Sequence, residues 1–291
     1  MKPASFAYHR ARDVAGAARL LAELAERGED AKLLAGGQSL IPMMNFRLAR
    51  PGHLVDIGGL AELAYLRPDG TGGLRIGALT THHTVETAAE AVLGRDFAVL
   101  RDAMPWIGHL PIRTRGTVGG SLAHGDSTAE WCLLALLLDA EITAVGPHGE
   151  RTIPAAEFFH GFYTTALEAD EVLAEIRFPR PAPHAALAEF AERRGDFAIV
   201  SAAVDLDVDD AGAVVAGRVA LGGVAPAPLR IPEAEEVLAT GGPDRAALFA
   251  ACADRAAEAA DPPSDMNGSA DYRRTLIRTL IRRACEEAIS R

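Results

Sequence analysis

Two double-glycine segments constrain this chain more than any other feature: Ala35-Gly36-Gly37-Gln38-Ser39 and Thr117-Val118-Gly119-Gly120-Ser121. Each lies where a short apolar run gives way to small polar residues. Glycine has no Cβ, so the backbone there is free to take φ > 0 and to bring an N–H close to a ligand. One such segment alone is ordinarily a tight turn. Two, each followed by a helix-like stretch, point to a ligand with two phosphates, or a long dinucleotide, held between them. On this reading a Cβ at Gly36 or Gly120 would occupy the space a phosphate needs. Polar side chains follow both segments: Gln38 and Ser39 after one, Ser121 and His124 after the other. Neither segment matches G-x-G-x-x-G, and neither has the Lys-Ser/Thr of a P-loop, so Rossmann and P-loop cradles find no support.

The 291 residues, 49% of them hydrophobic, suffice for one large domain or two medium ones. Lys and Arg total 29 against 40 Asp and Glu, a formal charge of -11, which repels phosphate backbones and speaks against nucleic acid as a partner. No window approaches the roughly 18 apolar residues of a membrane span, and the N-terminus lacks the apolar core of a signal peptide. Cys132, Cys252 and Cys285 are far apart in sequence and form no CxxC pair, zinc spacing or even-numbered disulfide set. The expectation is a reduced, cytoplasmic protein with no iron–sulfur cluster of its own.

Along the chain, residues 13–27 read as a helix capped by Asp13 and ended by Gly28. Strands are expected at Lys32–Ala35, Leu54–Ile57, 73–80 and Val172–Phe178, with a hairpin around Gly146-Pro147-His148-Gly149. Residues 84–103 read as helical, and 127–139 as a fully buried helix. Three prolines within 179–183 mark a linker. Strands Ile199–Val208 and Val214–Gly222 and helices near 232–240, 244–260 and 271–289 follow, an α+β pattern.

Several groups carry chemistry or merely structure. His124, Asp126 and Glu130 cluster past the second segment, too few for a metal site. Asp126, Ser127 or Thr128 is placed to cap the next helix, and Glu130 sits in its first turn, where it could also accept from a ribose hydroxyl. His82-His83 reads as one ring in and one out at a strand end. Ser39 and Ser121 lack a nucleophile-elbow setting. Arg193-Arg194-Gly195-Asp196-Phe197 reads as a surface turn, and Arg273, Arg274, Arg278, Arg282 and Arg283 as a solvated helix face or a contact for an acidic partner.

Taken together these motifs resemble the FAD-binding medium subunits of molybdenum hydroxylases, the branch of aerobic carbon monoxide dehydrogenase and xanthine dehydrogenase. Ala35–Leu40 with Phe46-Arg47-Leu48-Ala49-Arg50-Pro51 looks like the family's first FAD loop, and Ile112–His124 like its second. Ile76–Thr81, Arg193–Phe197 and Tyr272-Arg273-Arg274 match its spacing, and the resemblance runs from residue 3 to about 289. It implies a two-subdomain FAD-binding domain of the vanillyl-alcohol-oxidase/MurB (PCMH) type over 1–178, divided near residue 58. A C-terminal α+β domain over 184–289 follows, with a three-stranded antiparallel sheet and helices. By position it also implies a cofactor site. Leu33, Leu34, Ala35, Gly36, Gly37, Gln38, Ser39 and Leu40 form one wall, and Thr117, Gly119, Gly120, Ser121, His124 and Asp126 the other. Glu130 bonds cofactor hydroxyls, Ile107 and Leu173 line the flavin, and Phe197 is an aromatic near its ring. Two positions depart from the family: Ser121 stands where many relatives have Asn, and Glu189 where some carry a cation.

The implied activity is electron transfer. Non-covalent FAD in this chain takes electrons from [2Fe–2S] clusters in a small subunit, fed by molybdopterin in a large one, and passes them to quinone, oxygen or NAD. No catalytic side chain and no metal ligand is assigned here, since the cofactor does the chemistry. The competing expectations are a stand-alone flavin oxidase or dehydrogenase of the same fold and a non-redox nucleotide-binding module. The reducing substrate, whether carbon monoxide, purine, N-heterocycle or aldehyde, belongs to another polypeptide.

Overall fold

A computed structural model describes residues 2–291. Strands Ala7–Arg10, Ala31–Leu34 and His53–Asp56 form a parallel sheet with the last in the middle. Parallel neighbours need crossovers, and the helix Val14–Glu26 supplies the first. Asp13 caps it, accepting from the Gly16 amide at 2.6 Å, and Gly28 leaves it at φ 72°. Its buried stripe, Ala17, Ala18, Leu21 and Leu24, has helical spacing and shares one apolar cluster with Val55 and Ile57.

A five-stranded antiparallel sheet follows, in the order Leu66–Pro68, Leu74–Gly77, Val172–Phe178, Glu141–Gly146, Gly149–Pro154. The expected hairpin closes with Gly146 opposite Gly149. The helical pattern over 84–103 is not one helix but three short ones, His82–Glu86, Glu90–Leu93 and Ala98–Ala103. The Thr87 hydroxyl donates back to the His83 carbonyl and closes the first, and Gly94 at φ 53° ends the second. Apolar periodicity continues across such breaks, so it does not reveal them.

Helix Glu130–Leu137 is buried along its whole length. A helix that is apolar all round needs neighbours on all sides. One side shares a core with Ile142, Ile176 and Phe178 of the five-stranded sheet, the other with Leu187, Ala203 and Ala220 of the C-terminal sheet. That C-terminal sheet has Ala185–Phe190, Val200–Val208 and Val214–Gly222 as its three long antiparallel strands, plus two residues, Leu229–Arg230, at the edge. The first of these is alanine-rich and lacks the β-branched signature that marks its neighbours in sequence. Its far face, with Ala186, Ala202, Val204 and Leu221, is covered by helices Pro232–Ala239, Arg245–Ala259 and Ala270–Ser290. No helix among the described residues is long and apolar enough to cross a membrane.

Two groups differ from their sequence reading. Cys252 and Cys285, distant in sequence, lie on helices packed against each other, and the Cys252 thiol, together with burial, pushes the Cys285 thiol up. Arg273 belongs to no solvated face, being 3% exposed. It donates to the Ile199 carbonyl at 2.5 Å, the Gly223 carbonyl at 2.8 Å and both Asp265 oxygens at 2.8 Å. Its neighbours Arg274 and Arg278 do lie at the surface, paired with Asp261, Asp271 and Asp254. Arg273→Leu leaves two carbonyls unpaired at the end of the C-terminal sheet, so it should cost about 3 kcal/mol in denaturant unfolding. Arg274→Leu should cost under about 1 kcal/mol in the same experiment.

Candidate functional site

The two glycine segments meet. A Cβ on Gly36 would lie 2.1 Å from the Arg115 carbonyl oxygen, so the first segment needs glycine because the backbone leading into the second passes directly against it. Gly119 is equally confined, its Cβ position lying 2.5 Å from that of Ala78. A Cβ on Gly120 would meet the Thr117 hydroxyl at 2.7 Å. These contacts, chain against chain, give Gly36 and Gly120 a reason to be glycine that does not depend on a ligand. Only Gly37 takes positive φ, at 72°.

The second segment is not a loop. Gly119 and Gly120 form the first turn of helix Val118–His124, capped by the Thr117 hydroxyl, which accepts from the Gly120 amide at 3.1 Å. Its amides are therefore spent: Val118 donates to Thr80, Gly119 to Ala78 and Ser121 to Thr117. The first segment is the opposite case. Among the described residues, no partner accepts from the amides of Gly36, Gly37, Gln38, Ser39 or Leu40. Five successive free N–H groups in a turn opening onto a cavity form a site for an anion.

That cavity holds about 810 Å³ and runs between the two segments. Leu33, Ala35, Gly36, Gly37, Gln38, Ser39 and Leu40 line one wall, and Thr117, Gly119, Gly120, Ser121, His124, Asp126 and Glu130 another, with Ile107, Leu173 and Phe197 also on its surface. Leu34 is not brought in. Adjacent strand residues point to opposite sides, and Leu34 lines a second cavity of about 580 Å³ with Arg10 and Arg115, which shares Ala35, Gly36, Gly37 and Gln38 with the larger one. Sequence reasoning missed His82, Trp106, the Tyr163-Thr164-Thr165 stretch and Gly195, all on the larger cavity's surface. Of these, His82 belonged to the His82-His83 pair and Gly195 to the Arg193–Phe197 motif; the others offered no sequence signal. Phe197 is 78% exposed, on a turn made by Gly195 at φ 89°.

Electrostatics at the wall follow from burial. Asp126 closes its own turn, accepting from the Thr128 amide at 2.9 Å and hydroxyl at 2.8 Å. It does not cap the buried helix, whose N-cap is Ala129 with no side-chain bond. Glu130, 9% exposed, is pushed up to about 7 by desolvation. His82 is not at a strand end but begins a helix, with its ring buried and that of His83 paired with Glu86. The Trp131 indole donates to His82 Nδ1 at 3.0 Å, which leaves a neutral ring its proton on Nε2. Burial, then the Arg113 charge, lowers His82 to about 4. Burial also lowers His124, whose ring lies 4.8 Å from that of Tyr163.

Residues 4–181 match the model of the FAD binding domain in molybdopterin dehydrogenase, and 185–288 that of the CO dehydrogenase flavoprotein C-terminal domain. The chain belongs to this flavoprotein family. It is similar to the carbon monoxide dehydrogenase medium chain of Afipia carboxidovorans, 40% identical over all of this chain and 99% of the relative. It is also 40% identical to a 6-hydroxypseudooxynicotine dehydrogenase complex subunit alpha of Paenarthrobacter nicotinovorans, over all of this chain and 97% of that one. Among solved structures, carbon monoxide dehydrogenase from Hydrogenophaga pseudoflava matches with a TM-score of 0.92 at 37% identity, over all of this chain and 99% of that chain. The lining of the cavity has the chemistry FAD needs: free amides, a buried carboxyl at Glu130, and apolar residues at Ile107 and Leu173.

Two outcomes test this geometry. Gly36→Ala should destabilise the cofactor-free chain by about 2 kcal/mol in urea unfolding, because the Arg115 backbone must move. Loss of cofactor without loss of stability would instead make the glycine a ligand contact only. His82 binds a proton more weakly folded than unfolded, so its neutral form stabilises the fold above about pH 6.5. That contribution is lost as pH falls toward about 4, at most about 3 kcal/mol. His82→Gln should flatten the fall in melting temperature across this interval.

Proposed function

We propose that this chain is the FAD-carrying electron-transfer subunit of a molybdenum hydroxylase. In that complex it accepts electrons from the [2Fe–2S] clusters of a small subunit, reduced in turn by a molybdopterin-bearing large subunit. It delivers them to an external acceptor, quinone, oxygen or NAD. The observation that carries the cofactor assignment is the run of unpartnered amides from Gly36 to Leu40 in the segment that lines the larger cavity. These amides would hold the diphosphate, with Ser121 across from them and Glu130 accepting from a hydroxyl. Ile107 and Leu173 would exclude water from the ring, and exposed Phe197 would cover or uncover it. FAD would supply the chemistry of collecting single electrons into pairs, while the protein binds and orients it. Residues 1–178 would form the cofactor domain and 184–289 its C-terminal partner. The three buried thiols suit a reducing compartment such as the cytoplasm.

The absorbance spectrum of the purified chain, alone and with its companion chains, is the direct test. Flavin near 1:1, released by acid, with reduction that requires the iron–sulfur companion, is expected. Turnover of a substrate by this chain alone would favour a free-standing oxidoreductase, and no flavin after reconstitution with FAD would refute the assignment. Glu130→Gln should weaken FAD binding about tenfold, the worth of one charge-assisted hydrogen bond, as read by quenching of flavin fluorescence.

A further inference from the structure

Register divides the face of the C-terminal sheet turned toward helix Glu130–Leu137 into three rows. They are Ala185–Asp205–Arg218, Leu187–Ala203–Ala220 and Glu189–Ser201–Gly222. In the first, the Asp205 charge is compensated by Arg180 at 2.6 Å and Arg218 at 3.1 Å. The second is apolar core. The third has no such compensation. Glu189 is 6% exposed and Ser201 fully buried, yet neither Glu189 oxygen nor the Ser201 hydroxyl has a hydrogen-bond partner. The row lies against the start of the buried helix, where the Gly223 amide donates to Ser127 at 3.0 Å. Gly222 leaves room for the orphan hydroxyl, since a Cβ there would lie 2.4 Å from it.

The groups around Glu189 offer it no cation. Helix Glu130–Leu137 presents Glu130, and the turn before it presents Asp126, already bonded to Thr128. On the adjoining strand, Asp205 lies two rows away with its own arginines. The 191–198 segment carries Arg193, Arg194 and Asp196, all exposed, with Arg194 over the Trp106 ring. The helix on the sheet's other face brings Arg273, engaged with two carbonyls and Asp265. A buried carboxylate without donors is strongly disfavoured, and two within electrostatic reach of each other disfavour ionising together.

We propose that Glu130 and Glu189, two buried carboxyls near the seam between the two parts of the chain, hold one proton between them with no hydrogen bond to each other, Glu189 being the neutral member, so that cofactor binding at the Glu130 wall depends on that proton. This rests on the FAD reading above. Burial pushes Glu130 to about 7 and Glu189 to about 9, the second raised further by the Glu130 charge. Glu130 therefore ionises first. Between these values one negative charge stands at the wall, free to accept from a cofactor hydroxyl, while neutral Glu189 keeps the pair from repelling itself. Below about 7 Glu130 gains a proton and accepts more weakly. Above about 9 a second buried charge enters the seam and disfavours the packing that holds Glu130 at the cavity wall.

The full-length chain is titrated with FAD by fluorescence quenching from pH 5.5 to 10.5, as wild type, Glu189→Gln and Glu130→Gln. The wild-type affinity should be bell-shaped, falling up to about tenfold per pH unit above about 9 as a one-proton linkage requires. Glu189→Gln should keep the acid limb and lose the alkaline one. Glu130→Gln should lose the acid limb and move the Glu189 limb to lower pH, because the neighbouring charge is gone. Independently of any cofactor, the infrared band of a protonated carboxyl at pH 8 should be present in the wild type and absent in Glu189→Gln. Identical pH profiles in wild type and Glu189→Gln, or no change in that band, overturns the pair. A wild type that binds no FAD at any pH overturns the cofactor assignment, and the infrared comparison still decides the pair.

Discussion

Burial of helix Glu130–Leu137 on every side is the interaction on which the rest of the architecture depends. Its side chains join the five-stranded sheet to the C-terminal sheet in one apolar core. Each large apolar side chain so buried contributes about 2 kcal/mol, and here the same side chains stabilise both halves and their mutual placement. The helix also sets the chemistry at its start. Trp131 fixes the tautomer of His82, and Glu130 is carried to the cavity wall with its charge poorly solvated. A surface helix could not hold either group in this way, because water would relax both.

The two glycine segments look alike in sequence and differ in physical role. In the second, the glycines allow a helix to start tightly against Ala78, and the amides are consumed by the fold. In the first, one glycine yields to the Arg115 backbone, the next turns through positive φ, and the amides that follow stay free. One segment is thus a wall and the other a set of donors. The anion-binding capacity of the cavity is asymmetric, and the side chains of Ser121, His124 and Glu130 supply the polarity on the donor-poor wall.

Most of the candidate site was legible because it consists of short contiguous motifs. Residues 33 and 35–40 reach the larger cavity, as do Thr117, Gly119, Gly120, Ser121, His124, Asp126 and Glu130. Leu34 turned the other way through strand alternation. What was hidden comes from residues brought in by distant chain: His82 by its bond to Trp131, Tyr163–Thr165 by a two-stranded hairpin, and Glu189 by strand register. Helix and strand identities followed apolar period wherever the elements were long. Breaks such as Thr87 and Gly94, and the alanine-rich strand Ala185–Phe190, carry no period of their own.

The amino-acid sequence by itself determined the family, the α+β class, the buried helix and the order of the two glycine segments, since each is encoded in local composition and spacing. The tertiary structure alone decided which glycine amides remain unpaired, that Arg273 is an internal clamp, and that Glu189 stands uncompensated beside Glu130. Hydrogen-bond satisfaction and the solvation of a charge depend on which atoms converge from distant parts of the chain. That convergence is set by packing the two sheets against one helix.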